Sequence, residues 1–153
     1  MKKVFFLLFF LLPILAISQD LTETSTINIT KTWSQEPNGY TYPMSIHVPT
    51  GVVPENGFPV AILLHWNGGN GSEIVSQFDN ILGCHVLIAP SGYKNSWNLC
   101  AENSDAPDIE MVNELLIILQ NFPNINSNKI RILGVSNGAG LANRVFIENT
   151  NPG

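Results

Sequence analysis

The segment from Lys129 to Phe146 constrains the fold more than any other part of the chain. It contains Gly134-Val135-Ser136-Asn137-Gly138, a G-x-S-x-G pentapeptide, after an apolar β-like run and before residues with helical spacing. A serine on so tight a strand-to-helix turn has a strained backbone, and the glycines let the strand and the helix pass close to it. This pattern is typical of a nucleophilic serine, so Ser136 is the candidate catalytic residue. The alternative is a glycine-rich turn without chemistry, but no phosphate-loop Gly-Lys pattern follows it.

The first 18 residues have the features of a secretory signal peptide. Lys2 and Lys3 precede the apolar run Val4 to Leu15, and Ala16-Ile17-Ser18 fits a small-x-small cleavage site. The run is shorter than the about 20 residues that a membrane span needs, and an uncleaved anchor is the alternative. We expect a secreted protein, extracellular or periplasmic, in which residues 19–153 form part of one domain.

The composition disfavours several classes of partner. Removal of residues 1–18 takes away two lysines and moves the formal net charge from −5 to −7. An acidic surface with few Lys and Arg argues against nucleic acid as a partner. It also argues against a membrane as a partner of the chain after signal cleavage. No metal-ligand spacing or cofactor motif is present, so we predict neither a metal nor a cofactor.

Cys84 and Cys100 are the two cysteines of the chain. An even pair in an exported protein favours a disulfide between them. Two buried thiols, or pairing with a cysteine beyond residue 153, are the alternatives, because spacing alone does not determine geometry.

Alternating apolar residues predict an antiparallel hairpin near the start of the mature chain. Its strands are Thr24–Trp33 and Tyr40–Val48, and the turn-forming segment Gln35–Gly39 lies between them. Pro43 lacks an N–H group and is expected at an edge or a bulge. The predicted buried face of the second strand consists of Tyr40, Tyr42, Met44, Ile46 and Val48.

Continuous apolar runs predict strands that are buried on both faces, as in a parallel sheet. These strands are Phe58–Leu64, His85–Ala89 and Ile130–Gly134. Helical spacing predicts one helix that Ser72 caps and Gly83 ends, and a second helix over Ile109–Leu119. The first helix has the apolar stripe Ile74, Val75, Phe78, Ile81 and Leu82.

Strands that alternate with helices indicate βαβ units and a parallel sheet. We therefore predict an α/β fold, with an N-terminal antiparallel hairpin, parallel βαβ units and the serine turn near the C-terminus. This order is that of the front half of an α/β-hydrolase domain.

Acyl transfer through Ser136 also needs hydrogen-bond donors for an oxyanion. One candidate is the backbone N–H of Asn137, at the positive end of the following helix. The second is expected from the loop after Leu64, through the main chain of Trp66 or Asn67. A plain turn is the alternative for this loop.

Several further motifs occur in the same order as the serine turn. Over roughly residues 40 to 150 the set resembles the secreted polyhydroxybutyrate depolymerase and feruloyl/acetylxylan esterase family of α/β hydrolases. The motifs are Leu63-Leu64-His65, Gly68-Gly69-Asn70-Gly71, Ala89-Pro90-Ser91-Gly92, Ser96-Trp97-Asn98, the Asp105–Leu116 helix and Gly134 to Ala139.

The resemblance implies a serine esterase that acts on a polysaccharide-linked ester or a short polyester through an acyl-enzyme at Ser136. It places Trp97 and Asn98 near the substrate cleft and gives His65 a structural role. His47, on a polar strand face, and His85, at a strand start, are likewise not predicted to be the general base.

Two features depart from the family pattern. The family usually has glycine directly after the histidine, where Trp66 stands here. Its triad Asp and His lie C-terminal to the serine, so we expect them beyond residue 153 and interpret 19–153 as the N-terminal part of a catalytic domain. The alternatives are a dienelactone-hydrolase-like enzyme or serine peptidase of the same fold, and a non-catalytic carbohydrate-binding or adhesion protein on a hydrolase scaffold.

Overall fold

The structure is a computed structural model that describes residues 18–99 and 104–150. The predicted signal peptide lies outside these residues except for Ser18. No helix in the described ranges is both long enough and apolar enough to span a bilayer. In chain order the elements are β1 (Thr30–Trp33), β2 (Glu36–Thr41), β3 (Met44–His47), β4 (Phe58–Leu64), α1 (Gly71–Phe78), β5 (Val86–Pro90), a 3₁₀ turn (Tyr93–Asn95), α2 (Asp108–Leu119), β6 (Ile125–Gly134) and α3 (Asn137–Thr150).

Four strands form the central sheet in the order β3-β5-β4-β6. β4 is parallel to both β5 and β6, and β3 pairs antiparallel with β5 at one edge. Every residue of β5 and all but one of β4 are buried. The predicted α/β architecture is confirmed, because strands covered by helices on both faces have no polar side and are continuously apolar.

Helices cover both faces of this sheet. On one face, Ile74 of α1 packs against Leu63 and Leu87. On the other, α2 and α3 pack against the cluster that contains Ile62. Ile62 and Leu63 belong to different clusters because successive side chains of a strand point to opposite faces.

The hairpin differs from the prediction at both strands and at its turn. The first strand, β1, starts at Thr30 and not at Thr24. The turn is Ser34–Gln35, since Trp33 pairs with Glu36. The rest of the segment expected to form the turn, residues 36–39, is part of β2. The predicted strand Tyr40–Val48 is two strands, β2 and β3, which belong to different sheets. Pro43 lies at the break, where it has no N–H to donate to a ladder. The predicted buried face is confirmed: Tyr42 is in the core, and Tyr40, Met44, Ile46 and Val48 pack against it.

The first helix also has different ends from those predicted. Its N-cap is Asn70, not Ser72, because the Asn70 side chain accepts the Glu73 N–H at 3.1 Å while the Glu73 carboxylate accepts the Asn70 N–H at 3.2 Å. This reciprocal pair is a capping box. The helix ends at Phe78, and Ile81, expected on the apolar stripe, is 72% exposed.

β6 is longer than predicted and starts at Ile125. It is also not buried on both faces: Ile130 and Ile132 pack against the core, while Arg131 and Leu133 on the other face are exposed. It is the outermost strand of the described sheet on the side away from β3. An apolar groove runs between this strand and the helices α2 and α3, and Phe146 on its rim is 65% exposed. The groove is lined by Leu116, Ile130, Ile132, Ala142, Val145 and Phe146, among others.

Candidate active site

Ser136 occupies the turn between the end of β6 and the start of α3. Its φ is 53°, in the left-handed region that non-glycine residues avoid, and its side chain is exposed. A Cβ atom on Gly134 would lie 2.2 Å from the carbonyl oxygen of Gly138, and one on Gly138 would lie 2.1 Å from that of Leu64. The close backbone approach therefore requires both glycines. The chain here has the strained strand–turn–helix geometry of a nucleophile elbow.

The elbow lies at the carboxyl edge of the parallel strands. Leu64, the last residue of β4, is paired with Gly134, and its carbonyl accepts the Val135 N–H at 3.0 Å. The loop that follows Leu64 therefore begins directly beside Ser136. Ligands of open α/β sheets bind outside this edge, so the position suits a catalytic residue.

The loop after β4 contains the two backbone N–H groups, those of Trp66 and Asn67, that are candidates for the second oxyanion donor. Its turn is fixed, because the Trp66 carbonyl accepts the Gly69 N–H at 3.0 Å and the Gly68 N–H donates to the Asn95 carbonyl at 2.7 Å. Within residues 18–99 and 104–150, the N–H groups of Trp66 and Asn67 donate no hydrogen bond. Both amides remain candidates for the second donor, with the Asn137 amide as the first.

His65 is buried and uses both ring nitrogens for structural hydrogen bonds. Its Nε2 accepts the Gly92 N–H at 3.0 Å, so the proton is on Nδ1, which donates to the Trp66 carbonyl at 2.7 Å. Burial lowers the pKa of His65, in agreement with a neutral ring. His65 thus ties the end of β4 to the loop after β5, and its nitrogens are not directed at Ser136.

The other two histidines lie at the opposite edge of the sheet. His47 pairs with Leu87 near the start of β5, and its Nδ1 is 3.1 Å from the Glu23 carboxylate. His85 directly precedes β5, and its buried Nδ1 has no hydrogen-bond partner among the described residues. Since the elbow is at the carboxyl edge, neither histidine is placed to take a proton from Ser136.

Trp97 is fully buried beneath the elbow, so its side chain does not line a cleft. Its backbone N–H donates to Asn137 Oδ1 at 2.8 Å, and its carbonyl accepts from Asn137 Nδ2 at 3.3 Å. Its indole Nε1 donates to the His65 carbonyl at 2.7 Å, and the two rings pack with centroids 4.7 Å apart. Trp97 therefore links the residue after Ser136 to the start of the Trp66 loop. The sequence reasoning considered only the backbone of Asn137 and missed the role of its side chain.

Asp108, at the start of α2, is a second group whose role the sequence analysis missed. It is buried, and its carboxylate accepts the Tyr42 hydroxyl at 2.9 Å and the Asn98 N–H at 2.7 Å. Burial raises the pKa of Asp108 to about 6, although both hydrogen bonds favour the charged form. The only sequence signal was an acidic residue at a helix start, which is usually a solvated partner of the helix dipole.

Asn98, expected near the cleft, is half-buried at the wall of a small cavity. Its carbonyl accepts from Arg144 Nη1 at 2.8 Å, and Arg144 also pairs with Glu148 at 2.9 Å. Asn98 thus joins α3 to Asp108. A role for its side chain toward substrate stays a prediction.

The predicted disulfide cannot be placed, because Cys100 lies outside the described residues. Cys84 is exposed. Among the residues that the structure describes, no group of three or more His, Cys, Asp and Glu side chains could hold a metal ion.

Comparisons with known proteins agree with this architecture. No protein-family model and no curated protein matches the sequence. A solved structure of a phospholipase/carboxylesterase from Dyadobacter fermentans DSM 18053 matches with 26% identity and a TM-score of 0.55. The fold is that of an α/β hydrolase.

The match covers 72% of this chain and 56% of that bacterial protein, so the chain spans little more than half of its length. A thermostable esterase matches with 22% identity and a TM-score of 0.51, over 74% of this chain and 35% of the esterase. The second likeness bears on the fold alone.

Proposed function

We propose that the full-length protein is a carboxylic-ester hydrolase that uses Ser136 as its nucleophile. The observation that supports this proposal most is the exposed serine at φ 53° between two glycines that the packing requires. Strained non-glycine residues persist only where the surrounding structure holds them, and they cluster at functional sites. The phospholipase/carboxylesterase name of the 26%-identical structural neighbour agrees with the same chemistry.

In the proposed reaction, Ser136 Oγ attacks the ester carbonyl carbon while a general base takes its proton. The carbonyl electron pair moves to oxygen, and the Asn137 amide with that of Trp66 or Asn67 would stabilise the oxyanion. Collapse of this intermediate expels the alcohol, which takes up the proton, and leaves an acyl-enzyme that water then hydrolyses. We expect the base to be a histidine beyond residue 153, oriented by an aspartate.

The proposed substrate is a polysaccharide-linked ester or a short polyester outside the cell. The signal-peptide features of residues 1–18 and the ordered set of motifs from Leu63 to Ala139 support this class. Specificity depends on loops around the elbow, because one fold hosts many activities.

Replacement of the nucleophile tests the proposal. Ser136→Ala in the full-length protein should lower kcat for p-nitrophenyl acetate by several orders of magnitude without loss of folding. Ser127→Ala, which changes an exposed serine within β6, is the matched control and should keep full activity. Near-equal turnover by the two variants would contradict the assignment. Turnover by both would show that a residue other than Ser136 is the nucleophile, and turnover by neither would favour the alternative of a non-catalytic binding protein.

A further inference from the structure

Four aromatic rings meet where the β1–β2 hairpin contacts the 3₁₀ turn. The Trp33 and Tyr93 ring centroids are 5.1 Å apart, and Tyr40 lies 6.1 Å from Trp33 and 5.3 Å from Tyr93, all edge to face. Tyr42, 5.0 Å from Tyr40, is buried and anchors the group to the core. The other three rings are half-buried and reach the surface. Trp33, Tyr40 and Tyr93 are called the aromatic platform below.

The turn that presents Tyr93 is strained and is bonded to the candidate site. Lys94 and Asn95 have φ values of 52° and 57°, and Ser136 is the other non-glycine residue with positive φ in the described ranges. The Asn95 carbonyl accepts the Gly68 N–H from the predicted oxyanion loop. All three strained residues therefore belong to segments that meet at the elbow, as expected for backbone strain with a function.

A short segment of chain connects the platform to a contact with the residue after Ser136. Tyr93 precedes Ser96 by three residues, which span at most about 11 Å. The Ser96 hydroxyl lies 3.4 Å from Asn137 Oδ1, next to the serine. A ligand on the platform is therefore within reach of the elbow through a few linked units.

Polar groups surround the rings of the platform. Trp33 Nε1 donates to Gln35 Oε1 at 3.1 Å, Glu36 raises the pKa of Tyr93, and Lys94 Nζ lies 5.0 Å from the Tyr93 ring centroid. Asp105 contacts the same hairpin through Ser34. Apolar ring surface with hydrogen-bonding groups at its rim matches a pyranose, which has an apolar C–H face and a hydroxyl edge. The carboxylates of Glu36 and Asp105 disfavour an acidic sugar, because like charges repel each other.

We propose that the aromatic platform binds a pyranose ring of a neutral polysaccharide and so holds the chain whose ester reaches Ser136. This inference rests on the proposed function and narrows its substrate class. Trp33 is the principal stacking ring, because Lys94 occupies a position over Tyr93.

The test measures binding without turnover, in full-length protein that carries Ser136→Ala. Isothermal titration with xylohexaose and with cellohexaose should detect binding of at least one of them. Trp33→Ala should weaken that binding about tenfold, as expected for the loss of an aromatic stacking contact. Trp33→Phe keeps a ring in the hairpin and should weaken it less. Ile81→Ala, an exposed apolar change near the end of α1, is the matched control and should keep the affinity.

Thermal unfolding shows which variants are folded. If Trp33→Ala does not fold, the affinity of Trp33→Phe is compared with that of Ile81→Ala instead. Equal affinities of the folded Trp33 variant and Ile81→Ala would overturn the platform, and so would the absence of binding to both hexasaccharides. Tighter binding of a polyester oligomer than of either sugar would also overturn it. Sugar binding that depends on Trp33, in a protein whose Ser136 form cleaves no ester, would support the platform and contradict the proposed function.

Discussion

Trp97→Phe removes one buried hydrogen bond from beneath the elbow while it keeps an aromatic ring in the core. The lost donor is the indole Nε1, which bonds to the His65 carbonyl at 2.7 Å. A buried carbonyl left without its donor costs about 1–3 kcal/mol. The smaller ring gives up packing worth roughly 1–2 kcal/mol more. We therefore expect the free energy of unfolding to fall by about 2–5 kcal/mol.

The same change should also slow catalysis, because Trp97 lies between the two predicted oxyanion donors. Its indole holds the His65 carbonyl, at the start of the Trp66 loop, and this bond is lost, while its backbone keeps its bonds to the Asn137 side chain. The change should therefore displace the donor of the Trp66 loop relative to the Asn137 amide. A displacement of about 1 Å at a catalytic group can cost about 100-fold in rate. Since the oxyanion exists only in the transition state, kcat should fall about tenfold or more while KM changes little.

The assay is steady-state hydrolysis of p-nitrophenyl acetate, with stability measured separately by urea unfolding. Phe58→Leu is the matched control, since Phe58 is buried at the amino end of β4, away from the elbow. It should lose about 1–2 kcal/mol of stability and keep its kcat. If Trp97→Phe has the kcat of Phe58→Leu, Trp97 stabilises the core without positioning the donors, and the reasoning is refuted.

Three further predictions concern stability, redox state and the isolated segment. Burial raises the folded-state pKa of Asp108 to about 6. Ionisation of the buried carboxyl should therefore lower the free energy of unfolding by about 3 kcal/mol as the pH rises from about 4 to 6. Asp108→Asn should remove this pH dependence in unfolding measured from pH 3 to 7. Equal pH slopes of the variant and the unchanged protein would contradict the prediction. Mass spectrometry of the non-reduced, alkylated mature protein should show Cys84 and Cys100 in one linked peptide pair, and two alkylated thiols would overturn that pairing. Residues 19–153 expressed alone should be poorly soluble or loosely packed and inactive, because the groove along β6 exposes apolar surface; a monodisperse segment with Ser136-dependent esterase activity would show that a base lies within it.

Strands β4 and β5 could be predicted from the sequence because burial on both faces leaves a continuous apolar run. The segment Ile130–Gly134 of β6, predicted to be buried in the same way, has exposed residues on one face. Phe58–Leu64 matches β4 at both ends, and β5 differs from its prediction by one residue at each end. The elbow was likewise predictable, because close backbone approach on both sides of Ser136 restricts two positions to glycine. In each case a local steric or solvation requirement determines the residue type.

Features that depend on which strand pairs with which were not predictable in the same way. The alternation from Tyr40 to Val48 continues through Pro43, and a period of two is the same in either sheet, so it does not reveal the change of sheet. The burial of Trp97 depends on hydrogen bonds to Asn137 and His65, which are 40 and 32 residues away in sequence. The helix cap was predictable in principle, since Asn70-x-x-Glu73 has the spacing of a capping box.

The central claim is that Ser136 is a reactive nucleophile in the full-length protein. The most direct measurement is covalent trapping with an alkyl fluorophosphonate, followed by peptide mapping with mass spectrometry. Attack by Oγ on phosphorus expels fluoride and leaves a stable adduct, and only an activated serine reacts rapidly. We predict one adduct per chain, on the peptide that contains Ser136, and none in Ser136→Ala. A full-length, folded protein that stays unlabelled, or that is labelled on a different serine, would contradict the account.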